Sequence, residues 1–246
     1  MPIIFGLGTG RSGTQSLAHL LNEQENSVCF HEINPAGMRW NGSVETVLSL
    51  INDFVDIING GERAVTIDYT SPNRSAPLER LKNMERVNVI GDIGFYYLPY
   101  VERVISTEID VKIPCMKRDK QDVLRSYINK FKVNSEKKRS NIFRKILNNR
   151  DFDSIYRNPF IDHNGAGWVK DVKWDKCYPK FGDSISLEDG LSLYWDMYYE
   201  YVDVLSNKYP DKVKIFDINE MNTEEGRRRI LSFCGCVGAP KETAGL

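Results

Sequence analysis

Short apolar runs alternate along this chain with longer stretches in which apolar residues return every three or four positions. These are the periods of buried strands and of amphipathic helices. Ile3, Ile4 and Phe5 form the first run, and Leu17, Ala18, Leu20 and Leu21 the first helical stripe. Val28, Cys29 and Phe30 predict a second strand, ending at His31-Glu32. Residues 43–58 predict a helix, because Val44, Val47, Leu48, Ile51, Phe54, Val55 and Ile58 share one face, with Ser43 as N-cap and Gly60-Gly61 as the stop. Strands follow over 64–67, 87–90 and 111–116, closing on Asp68, on Gly91-Asp92 and on Lys117-Arg118-Asp119, with helices predicted over 95–105 and 122–131. Residues 132–180 are rich in Lys, Arg, Asn, Gly and Trp and break the pattern, so they read as a cap or insert. An aromatic helix over 187–205, a strand over 213–216 and a helix over 223–233 come last, the final one signalled by Thr223 followed by Glu224 and Glu225.

Strands that alternate with helices predict the α/β class: three layers, with a central, mostly parallel sheet flanked by helices, in one domain over 1–246. In such sheets ligands bind beyond the carboxyl ends of the strands. That single edge gathers His31-Glu32, Asp68, Asp92, Arg118 and residues 6–16, which read GLGTGRSGTQS between the first strand and the first helix. A glycine-rich turn of this kind aims backbone N–H groups and a helix N-terminus at one point, which attracts a phosphate or sulfate. Arg11 adds a full positive charge.

Composition narrows the ligand classes. Hydrophobic residues make up 41 % and charged residues 27 %, ordinary globular values, and a net charge of −1 provides no general field toward nucleic acid or an anionic membrane. No stretch of about 18 apolar residues is present, and the chain opens without a basic segment or cleavage signal, so a soluble cytoplasmic protein with no membrane span is expected. The five cysteines are scattered and odd in number, as expected of reduced thiols. Cys234-Gly235-Cys236 has no second pair or nearby His to complete a metal site, and no metal is expected.

The glycine turn fits three ligands. Gly8, Gly10 and Gly13 match G-x-G-x-x-G with Glu32 about twenty residues on, formally a dinucleotide fingerprint, but Thr14-Gln15-Ser16 is polar where that helix packs small apolar residues. A kinase loop would place a Lys where Arg11 stands and needs a spacing that is absent, although Asp68 or Asp92 imitates its acidic strand end.

The third reading rests on a family resemblance. Residues 10–16 (GRSGTQS) resemble the 5′-phosphosulfate loop of sulfotransferases that use 3′-phosphoadenosine 5′-phosphosulfate (PAPS). Residues 113–131 (IPCMKRDKQDVLRSYINKF) are similar to that family's 3′-phosphate segment, with Arg118 at the strand end and Ser126 eight residues later on the helix. Two helical turns bring such a hydroxyl back toward the guanidinium, so both can meet one phosphate. His31-Glu32 and the stretch Asp68-Tyr69-Thr70-Ser71-Pro72 resemble the carbohydrate-modifying, heparan-type branch. Two departures stand out: Arg11 where Lys is commoner, and no glycine- and basic-rich C-terminal loop, for which Lys241 is the candidate substitute.

The resemblance implies a P-loop-type fold and transfer of a sulfuryl group from PAPS to an acceptor hydroxyl or amine, possible on a glycan, with 3′,5′-adenosine bisphosphate (PAP) as product and no metal required. Gly10, Arg11, Ser12, Gly13, Thr14, Gln15 and Ser16 would hold the phosphosulfate, Arg11 also meeting the leaving group's charge, and Arg118 and Ser126 the 3′-phosphate. Glu32 is the candidate general base and His31 its rival; alternation along a strand would point only one of them into the site. Asp68 and Asp92 either orient the acceptor and loop cation or brace loops. Trp168 and Trp174 are candidates for adenine or sugar contact, and residues 130–150, rich in Lys and Arg, for an anionic acceptor. Tyr194, Trp195, Tyr198, Tyr199 and Tyr201, which recur at helical spacing, read as core. A nucleotide kinase and a non-catalytic nucleotide-binding domain are the alternatives.

Overall fold

The computed structural model describes residues 1–33, 44–65, 74–139, 158–161, 179–182 and 184–236, with backbone alone for 131–139. Five strands, β1 (Ile3–Gly6), β2 (Ser27–His31), β3 (Val89–Ile93), β4 (Val111–Lys117) and β5 (Val213–Asp217), form a sheet in the order β2-β3-β1-β4-β5, every pair parallel. The helices are α1 (Thr14–Asn22), α2 (Val44–Ile58), α3 (Ser75–Asn83), α4 (Val101–Ile105), α5 (Lys120–Arg139), α6 (Leu187–Lys208) and α7 (Glu224–Phe233). The expected α/β architecture is therefore present, and the sheet is parallel throughout rather than mostly so.

Alternation along β1 decides which helices cover which face. Ile3, Phe5 and Leu7 pack with Val28, Phe30 and the apolar stripes of α2 and α6. Ile4 faces the other way, with Leu17, Leu20 and Leu21 of α1 and Ile230 and Leu231 of α7. Burying one such side chain contributes about 1.5–3 kcal/mol, so a one-residue slip of β1 would forfeit both faces at once.

Several boundaries differ from expectation. β3 runs to Ile93, which puts Asp92 inside a buried strand instead of in a loop. Ala64 and Val65 lie in no strand, and the rest of the expected 64–67 strand, like Asp68 and the Ser43 cap, falls outside the described residues. α5 continues to Arg139, so the expected irregular region does not begin at 132. α3 has no counterpart in the apolar pattern: only Leu78 and Leu81 are buried, too narrow a stripe to stand out from a polar segment. Residues 95–105 split into a 3₁₀ turn, Phe95–Tyr100, and the short α4, with Pro99 in the tighter turn. Among the described residues no helix is long and apolar enough to cross a membrane.

The strand order places β1 at a topological switch, with β2 and β3 on one side and β4 and β5 on the other. Register aligns Gly6 and His31 with Ile93, and Lys117 with Asp217, along one carboxyl edge.

Candidate functional site

The turn after β1 is built from its own backbone first. The Ser12 N–H and hydroxyl both donate to the Thr9 carbonyl, at 3.2 and 2.6 Å, which closes the loop and leaves the buried Ser12 side chain facing inward. Both Ser12 donors are thus spent on the loop rather than aimed outward with those of its neighbours. Arg11 is held at φ 71 and Gly13 at φ 96. A left-handed conformation is ordinary for glycine but costs a side-chain-bearing residue on the order of 1–2 kcal/mol, so the Arg11 backbone is strained into place. A Cβ at Gly13 would also press on Ile218 Cδ1, which would have to shift, and one at Gly10 would meet the Tyr127 hydroxyl.

Gly13 is the N-cap of α1 and no side chain caps that helix. The first-turn N–H groups of Thr14, Gln15 and Ser16 have no intrahelical acceptor and carry the positive end of the helix dipole. Gln15 is exposed, while Gly13 and Ser16 are half-buried. The Thr14 hydroxyl lies 3.1 Å from Nε2 of His31, so the end of β2 reaches the start of α1.

Arg118 and Ser126 do reach this loop. Arg11 donates from Nε to the Ser126 hydroxyl at 2.9 Å, and Arg118 donates from Nη1 to the Arg11 carbonyl at 3.4 Å. Arg118 also lies 3.8 Å from an Asp122 carboxylate oxygen and remains about a third exposed (35 %). A cavity of about 480 Å³ opens beside it at the carboxyl ends of β4 and β5, lined by Lys117, Lys120, Trp195, Asp217 and Asn219 among others. A second, of about 430 Å³, is lined by His31, Gln15, His19 and Arg80.

Glu32 is placed differently from the strand-alternation expectation. β2 ends at His31, and Glu32 follows in the left-handed region at φ 54, so alternation does not decide between the two side chains. Its N–H donates to Ile93 and its carbonyl accepts from Nε of Arg74 at 2.5 Å. The main chain is thereby fixed while the half-buried carboxylate makes no hydrogen bond or ion pair among the described residues.

Asp92 is fully buried. It accepts from the Ile33 N–H and from the hydroxyls of Tyr96 and Tyr97 at 3.0 and 2.6 Å. Burial pushes its carboxyl above the usual carboxylate range, against the opposing pull of Tyr97, Ile33, the nearby His31 and Tyr96. These bonds make Asp92 a brace for the chain leaving β2. Asp68, Trp168, Trp174, Lys241 and residues 140–150 of the basic stretch lie outside the described residues. No group of three or more His, Cys, Asp or Glu suited to a metal ion occurs among the described residues.

Sequence patterning missed the supports beneath the loop: Tyr127 from α5, and Tyr198 and Tyr199 from α6. The Gly8 N–H donates to Tyr198 at 3.1 Å, and the Thr9 hydroxyl lies 3.3 Å from that of Tyr199. Helical spacing correctly marks both tyrosines as core, but nothing in that spacing tells where a hydroxyl goes.

No protein-family model matches the chain, and no curated protein matches it. Among solved structures it is similar to a sulfotransferase from Alicyclobacillus acidocaldarius, at 17 % identity and a TM-score of 0.46, over 100 % of this chain and 86 % of that one.

Proposed function

We propose that the chain is a PAPS-dependent sulfotransferase. The observation that carries this reading is the meeting of Arg118 and Ser126 with the glycine loop from more than a hundred residues away, through Arg11. One anion site at a helix N-terminus suits many nucleotides. A second cationic and hydroxyl-bearing site beside it suits a nucleotide phosphorylated at both ends, which neither NAD nor ATP is.

In this reading the N–H groups at the start of α1 hold the 5′-phosphosulfate and Arg118 with Ser126 holds the 3′-phosphate, its nucleoside lying toward the cavity beyond β4 and β5. The acceptor approaches from the His31 side. Glu32 takes the acceptor's proton as its oxygen or nitrogen bonds to sulfur. The bond from sulfur to the bridging phosphate oxygen breaks, its electron pair stays on the phosphate, and Arg11 meets the charge that develops there. PAP and the sulfated acceptor leave. His31, held against Thr14, orients the loop or substitutes as base. A hydroxyl or amine on a small molecule or glycan is the acceptor class, and the protein is soluble.

Thermal-shift binding with PAP, with ADP plus Mg²⁺, and with NAD tests the reading. Stabilisation by PAP is expected. Stabilisation by ADP–Mg²⁺ or NAD alone would return the chain to the kinase or dinucleotide alternative.

A further inference from the structure

We infer that Tyr198 and Tyr199 of α6 are positioning residues whose hydroxyls hold the glycine loop in its anion-binding shape. The inference rests on the donor-site role proposed above. The two side chains are 3 % and 1 % exposed, and each hydroxyl spans two elements. Tyr198 accepts from the Gly8 N–H at 3.1 Å and donates to the Phe95 carbonyl at 3.2 Å. Tyr199 donates to the Met116 carbonyl at 2.8 Å, so toward Thr9, at 3.3 Å, it is the acceptor. Each hydroxyl has a single proton, already given to a carbonyl, so each meets the loop as an acceptor. Burial raises the Tyr199 hydroxyl well above its ordinary range, so it stays a protonated donor.

The consequence for the site is geometric. Phe95 opens the turn after β3 and Met116 lies in β4, the two strands that flank β1. The loop is therefore tied, through α6, to both neighbours of the strand it leaves. Gly8 and Thr9 are the residues before Gly10 and the strained Arg11, so their positions set where Arg11 and the α1 N-terminus point. Ring packing alone would be served by phenylalanine. The hydroxyls are needed because a buried Gly8 N–H without a partner is costly, and the loop has no carbonyl of its own aimed at it.

The test uses the full chain carrying Tyr198→Phe, Tyr199→Phe, or Val202→Ala, the last a buried truncation on the same helix that lowers stability and removes no hydrogen-bonding group. Exchange of the Gly8 amide is followed in ¹⁵N-glycine-labelled protein, and binding of PAP and of 3′-AMP is measured by calorimetry. Expected for Tyr198→Phe is Gly8 exchange at least about tenfold faster than in Val202→Ala at matched stability, PAP about tenfold weaker, and 3′-AMP within about twofold of wild type. Gly8 exchange that merely follows global stability in both variants, or equal losses for PAP and 3′-AMP, would overturn the inference. If wild type binds no PAP, the donor reading fails, and Gly8 exchange still decides the strut. Should Tyr198→Phe not fold, the PAP-against-3′-AMP split in Tyr199→Phe, set against Val202→Ala, decides it in the same way.

Discussion

Removing the Arg118 guanidinium separates the two ends of the proposed donor site. A hydrogen bond from a charged donor contributes about 1.5–3 kcal/mol, but Arg118 is about a third exposed and shares its charge with Asp122 at 3.8 Å. Screening and that competition place the contribution at the lower end, about 2 kcal/mol, or roughly a 30-fold loss of PAP affinity in Arg118→Ala. The same change removes a long bond, 3.4 Å, to the Arg11 carbonyl. That contact is worth only a few tenths of a kcal/mol, so 5′-AMP, which lacks the 3′-phosphate, should weaken by no more than about threefold. Stability should hardly move, because the ion pair lost is partly exposed and such pairs contribute about 0–1 kcal/mol. Arg118→Lys should fall between, keeping the charge but not the planar fork. Calorimetric titration of both nucleotides at one fixed ionic strength, with melting curves alongside, makes the measurement. Equal losses for PAP and 5′-AMP would refute the assignment of Arg118 to the 3′-phosphate, as would PAP affinity that does not change.

Gly13→Ala should lower the melting temperature by about 5–10 °C, the sum of a left-handed backbone and a Cβ pressed on Ile218, and adding Ile218→Val, which removes the obstructing Cδ1, should recover part of it by scanning calorimetry. Glu32→Gln should reduce turnover with PAPS and an acceptor by about 100-fold or more while PAP affinity stays within about twofold; turnover unchanged in that variant would transfer the base role to His31 or remove it. Asp92 gives a pH signature. Its folded carboxyl titrates above the ordinary range because burial disfavours the anion, so the stability it confers is complete below about pH 4 and is lost as pH rises toward its raised value. The destabilisation caused by Asp92→Asn, measured by urea unfolding, should therefore be largest near pH 4 and shrink as pH increases; a difference that grows with pH would reverse the sign.

The parts of this protein legible in its sequence are those set by local chemistry. Short apolar runs locate the five strands of the sheet to within a few residues, because strands covered on both faces must be apolar throughout. The glycine turn could be recognised because Gly13 has to adopt a left-handed backbone and Thr14-Gln15-Ser16 has to open a helix. Asp92 departs from the expected strand end because a carboxylate after an apolar run reads as one, whereas the Ile33 N–H and the hydroxyls of Tyr96 and Tyr97 make a buried one tolerable. Strand alternation does not decide between His31 and Glu32, because it lapses where Glu32 turns left-handed.

What the sequence by itself determined is a glycine-rich turn that opens a helix at the carboxyl edge of an α/β sheet, since those features depend on neighbours in the chain. What only the tertiary structure decided is how that turn is completed: Ser126 on Arg11, Arg118 on the loop carbonyl, and two tyrosines from α6 beneath Gly8 and Thr9. The physical reason is that periodicity reports which face of a helix is buried, whereas the partner of a buried hydroxyl is set by which element the fold packs against it.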